Sequence, residues 1–224
     1  MEQFQNDPRN DRQRRATLGS EEDSSGCDPE EDDGRNEIRM GITEPLRAPD
    51  QRTEFTPGRI AIERTDGSVV SERLHPAEHA EGKAVDSPWD PLDRAYFNGY
   101  ALWTYLTTPF LFALPGFEVE EIQPWLEAGE VWRGIRVHFP DHIASHSRDQ
   151  EFYFGDDFLL RRHDYRVEAS GGFAAAQYVH DLVSVQGLLL PMKRRAYLRD
   201  EQLRPMHEKL MVSIDISDVS FTSV

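Results

Sequence analysis

The pattern of apolar and polar positions changes period once along the chain. In "DSPWDPLDRAYFNGYALWTYLTTPFLFALPG" the apolar residues Leu92, Tyr96, Tyr100, Trp103 and Leu106 return at helical spacing, with Asp93, Arg94, Asn98 and Thr104 elsewhere. Asp90 is suited to the N-cap, Pro91 to the first helical position, and Asp93 to the first turn, where the helix dipole favours negative charge. Pro109 ends or kinks the helix. The apolar run up to Leu114 approaches the length of a membrane span. Asn98, Gly99, the threonines and Pro109 interrupt it, so a buried or pocket-lining segment is expected and no integral span.

After Pro115-Gly116 the period shortens to two. "FEVEEI", "VWRGIRVHF", "EFYF", "LLRRHDYRVEA", "AAQYVHDLVSV", "LLLPMKRRAYL" and "KLMVSIDISDVSF" follow one another with turn signals between them, which predicts antiparallel sheet. Val131, Ile135, Val137 and Phe139 share one strand face, and Leu210, Val212, Ile214 and Ile216 another. The last pattern slips by one at Ser217 and Asp218, the mark of a β-bulge or a strand end. Upstream, "EFTPGRIAIERTDGSVVSERL" reads as a hairpin turning at Asp66-Gly67, where glycine supplies a positive φ.

Composition sets the outer limits. Residues 1–51 are polar, charged and nearly free of aromatics, so they cannot bury enough apolar area to offset chain entropy; a disordered acidic tail is expected there and a folded domain over 52–224. The net charge of -16 over 224 residues repels phosphate backbones, so nucleic acid is not an expected partner. The one cysteine, Cys27, permits no internal disulfide and no multi-cysteine metal site. No apolar signal core stands at the start of the sequence, which reads as cytoplasmic.

The densest chemistry lies in "ASHSRDQEFYFGDDFLLRRHDY". A two-residue turn at Asp156-Asp157 would pair Phe154 with Leu159, Phe152 with Arg161, and Gln150 with His163, gathering His146, Arg148, Gln150, Arg161, His163 and Tyr165 on one face. A three-residue turn would shift the register by one and part the two histidines. On a shared face, arginine suits an anionic headgroup and the rings suit an apolar tail. The other reading is a solvated convex face with ordinary cross-strand ion pairs. His138, His142 and His146 recur every four residues, but Pro140 and the β pattern argue against a helix that would align them, and no metal or cofactor is expected. No nucleophile elbow, P-loop or dinucleotide fingerprint is present, and adjacent Ser-His and His-Asp pairs point to opposite strand faces, so no catalytic residue is assigned.

The strand pair "FYFGDDFLLRRHDY", then "VSVQGLLLPMKRRAYL" and a closing "LMVSIDISDV", resembles the lipoprotein-carrier and lipoprotein-sorting group over roughly Phe117 to Phe221. "DPLDRAYFNGYALWTYLTTPFLFALPG" is also similar to uncharacterised bacterial proteins. The resemblance implies an α+β fold: a curved antiparallel half-barrel, with the aromatic helix and loop across its concave face and Tyr96, Tyr100, Trp103 and Phe110 lining a lipophilic cavity. It also implies a periplasmic or exported location as the runner-up. The function expected is non-catalytic binding of a lipophilic or amphipathic small molecule. Two alternatives stand beside it, a small-molecule enzyme using His146 and His163 and a protein-interaction module whose acidic tail engages a basic partner.

Overall fold

A computed structural model describes the backbone of residues 15–18, 40–43 and 50–221. The strands are β1 (Arg15–Leu18), β2 (Met40–Thr43), β3 (Gln51–Thr56), β4 (Arg59–Arg64), β5 (Val69–Leu74), β6 (Glu118–Glu127), β7 (Glu130–His138), β8 (Asp149–Phe154), β9 (Leu160–Val167), β10 (Phe173–Val185), β11 (Leu188–Arg199), β12 (Pro205–Asp215) and β13 (Ser217–Phe221). Two helices, α1 (Pro76–Ala80) and α2 (Pro91–Thr107), fall between β5 and β6. One sheet runs β13-β1-β2-β3-β4-β5 and the other β12-β11-β10-β9-β8-β7-β6. All pairings are antiparallel except β1 with β13, and the whole is a curved, unclosed sheet of the half-barrel kind. Most of the segment expected as a tail lies outside the described residues; the parts within them are β1, β2, Asp50 and the first residue of β3.

The slip in the apolar pattern near Ser217 marks where the chain changes sheets. β12 ends at Asp215, the Ile216 amide donates to the Met192 carbonyl at 2.7 Å, and β13 then pairs with β1 in the other sheet. The Asp66-Gly67 turn forms as expected, with Gly67 at φ 84°. "EFTPGRI" is a second hairpin, β3 to β4, in which Thr56 pairs with Arg59 around Pro57-Gly58.

Helix α2 begins as its sequence dictates. The Asp90 carboxylate accepts from the Asp93 amide at 2.9 Å and the Asp93 carboxylate accepts from the Asp90 amide at 3.0 Å, a capping box ahead of Pro91. Periodicity identifies one apolar face, but from Ala95 to Leu106 only Asn98 escapes full burial, because both sheets close on the helix. A helix apolar nearly all round is a core helix rather than a surface lid. Gly99 is needed for that enclosure: a Cβ there would lie 2.5 Å from the Phe55 ring of β3. Among the described residues no helix is long and apolar enough to cross a membrane.

The seven-stranded sheet buries side chains on both faces. The inner face meets α2 through Val137, Phe139, Phe152, Tyr165, Val167, Ala175 and Ile214. The outer face carries a smaller cluster of Trp132, Tyr153, Ala176 and Tyr178, joined by Trp125 and Tyr197.

Candidate functional site

The hairpin between β8 and β9 turns on three residues, not two. Gly155 donates to the Leu159 carbonyl at 3.0 Å, Phe158 donates back to the Gly155 carbonyl at 2.9 Å, and Phe158 takes φ 61°. This loop alone would part the histidines. A bulge follows directly, since Phe154 faces Leu160 while Tyr153 faces Arg162, and the extra residue is Arg161. Two shifts of one restore the parity: Phe152 opposes His163 in place of the expected Arg161, and His146, Gln150, His163 and Tyr165 all lie on the buried inner face. The same two shifts place Arg161 at the hairpin end, paired with Asp157 at 2.7 Å. Arg148 precedes β8, is exposed, and pairs with Asp141. The arginines expected beside the histidines are therefore absent from that face, and its cation comes instead from Arg194 of β11.

The inner face holds two sets of buried, hydrogen-bonded polar side chains. The Arg194 guanidinium donates to the Tyr105 carbonyl near the C-terminus of α2 at 2.7 Å and to Gln177 Oε1 at 3.0 Å, and it lies 4.5 Å from the Tyr105 ring centre. No carboxylate pairs with it among the described residues, so its countercharge is the negative end of the helix dipole. Because Arg194 holds Gln177 Oε1, the amide nitrogen of Gln177 turns to Tyr165 Oη, 3.3 Å away. Tyr165 Oη is hydrogen-bonded to Tyr105 Oη at 3.2 Å, and Tyr105 Oη to His146 Nε2 at 2.7 Å. The Gln150 amide nitrogen donates to the Ser147 carbonyl at 2.7 Å, which leaves Gln150 Oε1 to accept from His163 Nε2 at 2.6 Å and fixes that tautomer.

Rings stack on both sets. His146 stacks on Tyr165 with centres 3.9 Å apart, and His163 on Phe152 at 4.1 Å. Burial first, and the charge of Arg194 after it, hold His146 down at about 3; burial, His146 and Arg194 hold His163 well below the ordinary imidazole value. Burial also lowers Arg194 to about 10, which leaves it charged at neutral pH. Tyr96, Tyr100 and Trp103 are buried in the same core, while Phe110 is 55% exposed and belongs to no interior surface.

The cavity lies elsewhere. A space of about 150 Å³ opens between the first half of α2 and β12, bounded by Val85 and Trp89 before the helix and by Val167 and Phe173 at the ends of β9 and β10. Phe97, Val212 and Ile214 continue the apolar wall, and Arg94, Asn98, Ser170 and Ser213 supply polar edges. None of the ten side chains singled out in the sequence lines it. Its walls come from four separate stretches of chain, which no local pattern connects. The nearest signal was Arg94 and Asn98, polar positions one turn apart on a largely apolar helix.

The three histidines spaced four apart do not converge. His138 faces Asp149 at 2.9 Å on the outside, His142 is exposed, and His146 is interior. His79, Asp90 and Asp93 do come together, but Arg73 and Lys83 already neutralise the carboxylates: Arg73 reaches Asp90 at 2.5 Å and Asp93 at 2.8 Å, and Lys83 reaches Asp93 at 2.6 Å.

No family model and no curated protein matches the chain. Among solved structures it is similar to a LolA-superfamily protein of Nitrosomonas europaea, with 8% identity, 83% of this chain and 72% of that chain covered, and a TM-score of 0.48. It is also similar to a DUF1329-family protein of Desulfovibrio piger, with 11% identity, 83% and 71% covered, and a TM-score of 0.47.

Proposed function

We propose that this domain binds a small lipophilic or amphipathic molecule without transforming it, and that the binding site is the cavity between α2 and β12. The observation that carries the reading is the 150 Å³ space itself, walled by Trp89, Phe97, Phe173, Val212 and Ile214 and bordered by Arg94 and Asn98 of α2. An apolar space of this order holds a benzene-sized guest, whereas drug-sized ligands occupy about 300–1,000 Å³. The ligand is accordingly short, or a longer one that seats only its end here. The histidines do not enter the reading, because the cavity does not reach them.

Trp89 in the wall provides the test. Titration with hexanol, monitored by tryptophan fluorescence, is expected to give a saturable change that a Trp89→Phe variant loses and a cavity-filling Val212→Phe variant weakens. Native mass spectrometry of freshly purified protein is expected to show a retained small molecule. A fluorescence response that never saturates, together with bare protein in the spectrometer, would overturn the proposal.

A further inference from the structure

We infer that the ligand of the α2–β12 cavity is an anion, a short-chain carboxylate or a molecule of the same plan, with its head on Arg94 and Asn98 and its apolar body inside. The inference rests on the proposed binding function and adds the chemistry of the head.

In a chain of net charge -16, with 41 acidic residues against 25 Lys and Arg, an arginine readily finds an acid, and most arginines of the described domain have one within 4 Å. Arg94 is exposed and has no such partner among the described residues, although two carboxylates share its end of the helix. Both are already engaged, Asp90 by Arg73 and Asp93 by Arg73 and Lys83. Arg94 therefore keeps an uncompensated positive charge at the polar edge of the cavity, while the cations around it are spent on the helix cap.

Asn98 follows one turn later on the same side of α2 and also lines the space, so an amide donor stands beside the guanidinium. Ser170 and Ser213 also border the space. The guanidinium presents paired N–H donors in the geometry that a carboxylate accepts. The acidic surface as a whole repels anions, so attraction must be local, and a neutral ligand would gain less from Arg94 than an anion. An anion with an apolar body uses both parts of the lining at once.

Hexanoate, hexanol and acetate separate the parts of this proposal in the intact protein. Hexanoate is expected to bind about ten-fold more tightly than hexanol, one charge-assisted hydrogen-bond pair, and acetate too weakly to displace it at the same concentration. Arg94→Gln is expected to erase the preference, bringing the hexanoate and hexanol affinities together, and Arg94→Lys to retain part of it. Arg94 is exposed and unpaired, so neither change threatens folding, and the urea midpoint checks this. Equal affinity for hexanoate and hexanol in the unaltered protein would overturn the anion assignment and leave the cavity reading standing. A preference for hexanoate that survives Arg94→Gln would overturn the assignment of the head to Arg94. Acetate competing as well as hexanoate would overturn the amphipathic ligand in favour of a bare anion. Binding of none of the three would overturn this inference and the proposed function together.

Discussion

The two faces of the seven-stranded sheet each bury one arginine completely, and they neutralise it in opposite ways. On the outer face Arg162 donates to both oxygens of Asp164 at 2.7 Å, donates to the Leu203 carbonyl at 2.5 Å, and lies 4.6 Å from the centre of the Trp125 ring. Asp164 is shared with Arg199 at 2.6 Å. These hydrogen bonds and charges raise the Arg162 pKa despite its burial. On the inner face Arg194 has carbonyl and amide oxygens but no acid, and its pKa falls. A fixed counterion makes a buried charge strongly dependent on its partner. A helix end makes it less favourable but independent of any one side chain.

That contrast predicts the largest single effect on the outer face. Asp164→Ala strands Arg162 without its main acid and is expected to cost about 3–5 kcal/mol in urea unfolding. Replacing both partners, Arg162→Met with Asp164→Leu, is expected to recover part of the loss, because the fully buried charge is gone while Arg199, which loses Asp164, keeps Glu151 at 4.0 Å. A double variant as unstable as the single one would show that the aromatic cluster, not the ion pair, carries the outer face.

Next in size is a pH effect specific to the inner face. His146 and His163 are held neutral in the fold and protonate normally when unfolded, so the unfolded state takes up more protons as the pH falls below about 6.5. Stability is then full above that value and is lost on acidification, by about 1.4 kcal/mol per pH unit for His146 down to about pH 3, with His163 acting in the same sense. Between pH 6 and 4.5, before most carboxylates titrate, unfolding free energy is expected to drop by about 2 kcal/mol from His146 alone. A flat profile in that range would place the imidazoles in contact with solvent.

Arg194→Met ranks third. It leaves the Tyr105 carbonyl and Gln177 Oε1 without a donor but strands no charge, so the expected loss is about 1–2 kcal/mol, well below that of Asp164→Ala. It also removes one of the charges that depress the two imidazoles, so the acid slope should begin at a lower pH-independent stability and end at a higher histidine pKa. A loss equal to that of Asp164→Ala would erase the distinction between the faces.

The antiparallel strands, the main helix and the strand end near Ser217 were legible because each is written in local periodicity and caps; that the chain there passes to another sheet was not. The inner polar face was legible only by parity. The expected register was wrong by two residues, and the three-residue loop with its bulge returned His163 to the face of His146. Arg194 was not legible, because its role depends on strand β11 passing under the C-terminal turn of α2, a contact between residues 89 positions apart. The cavity was invisible for the same reason, and β1 and β2 were hidden in polar text because "RATL" and "MGIT" have no pattern of their own and are strands by virtue of their pairing.

The smallest expected effect separates Arg161 from Arg94. In the sequence Arg161 stands among the histidines and looks like the better anion ligand. The bulge has carried it out to the hairpin end, where it lies over Gly155 and pairs with Asp157 beside solvent. Exposed pairs of this kind add little to stability because solvent screens them and two side chains must be immobilised. Arg161→Ala is therefore expected to leave the urea midpoint unmoved and hexanoate affinity within about two-fold of the unaltered protein, against the loss of preference in Arg94→Gln. A strong loss of hexanoate binding in Arg161→Ala would return the ligand to the hairpin and move the site from the α2–β12 cavity to the end of β8 and β9. The comparison of the two arginines thus tests, in one titration, whether spacing along a strand or an uncompensated charge beside a cavity identifies the binding residue.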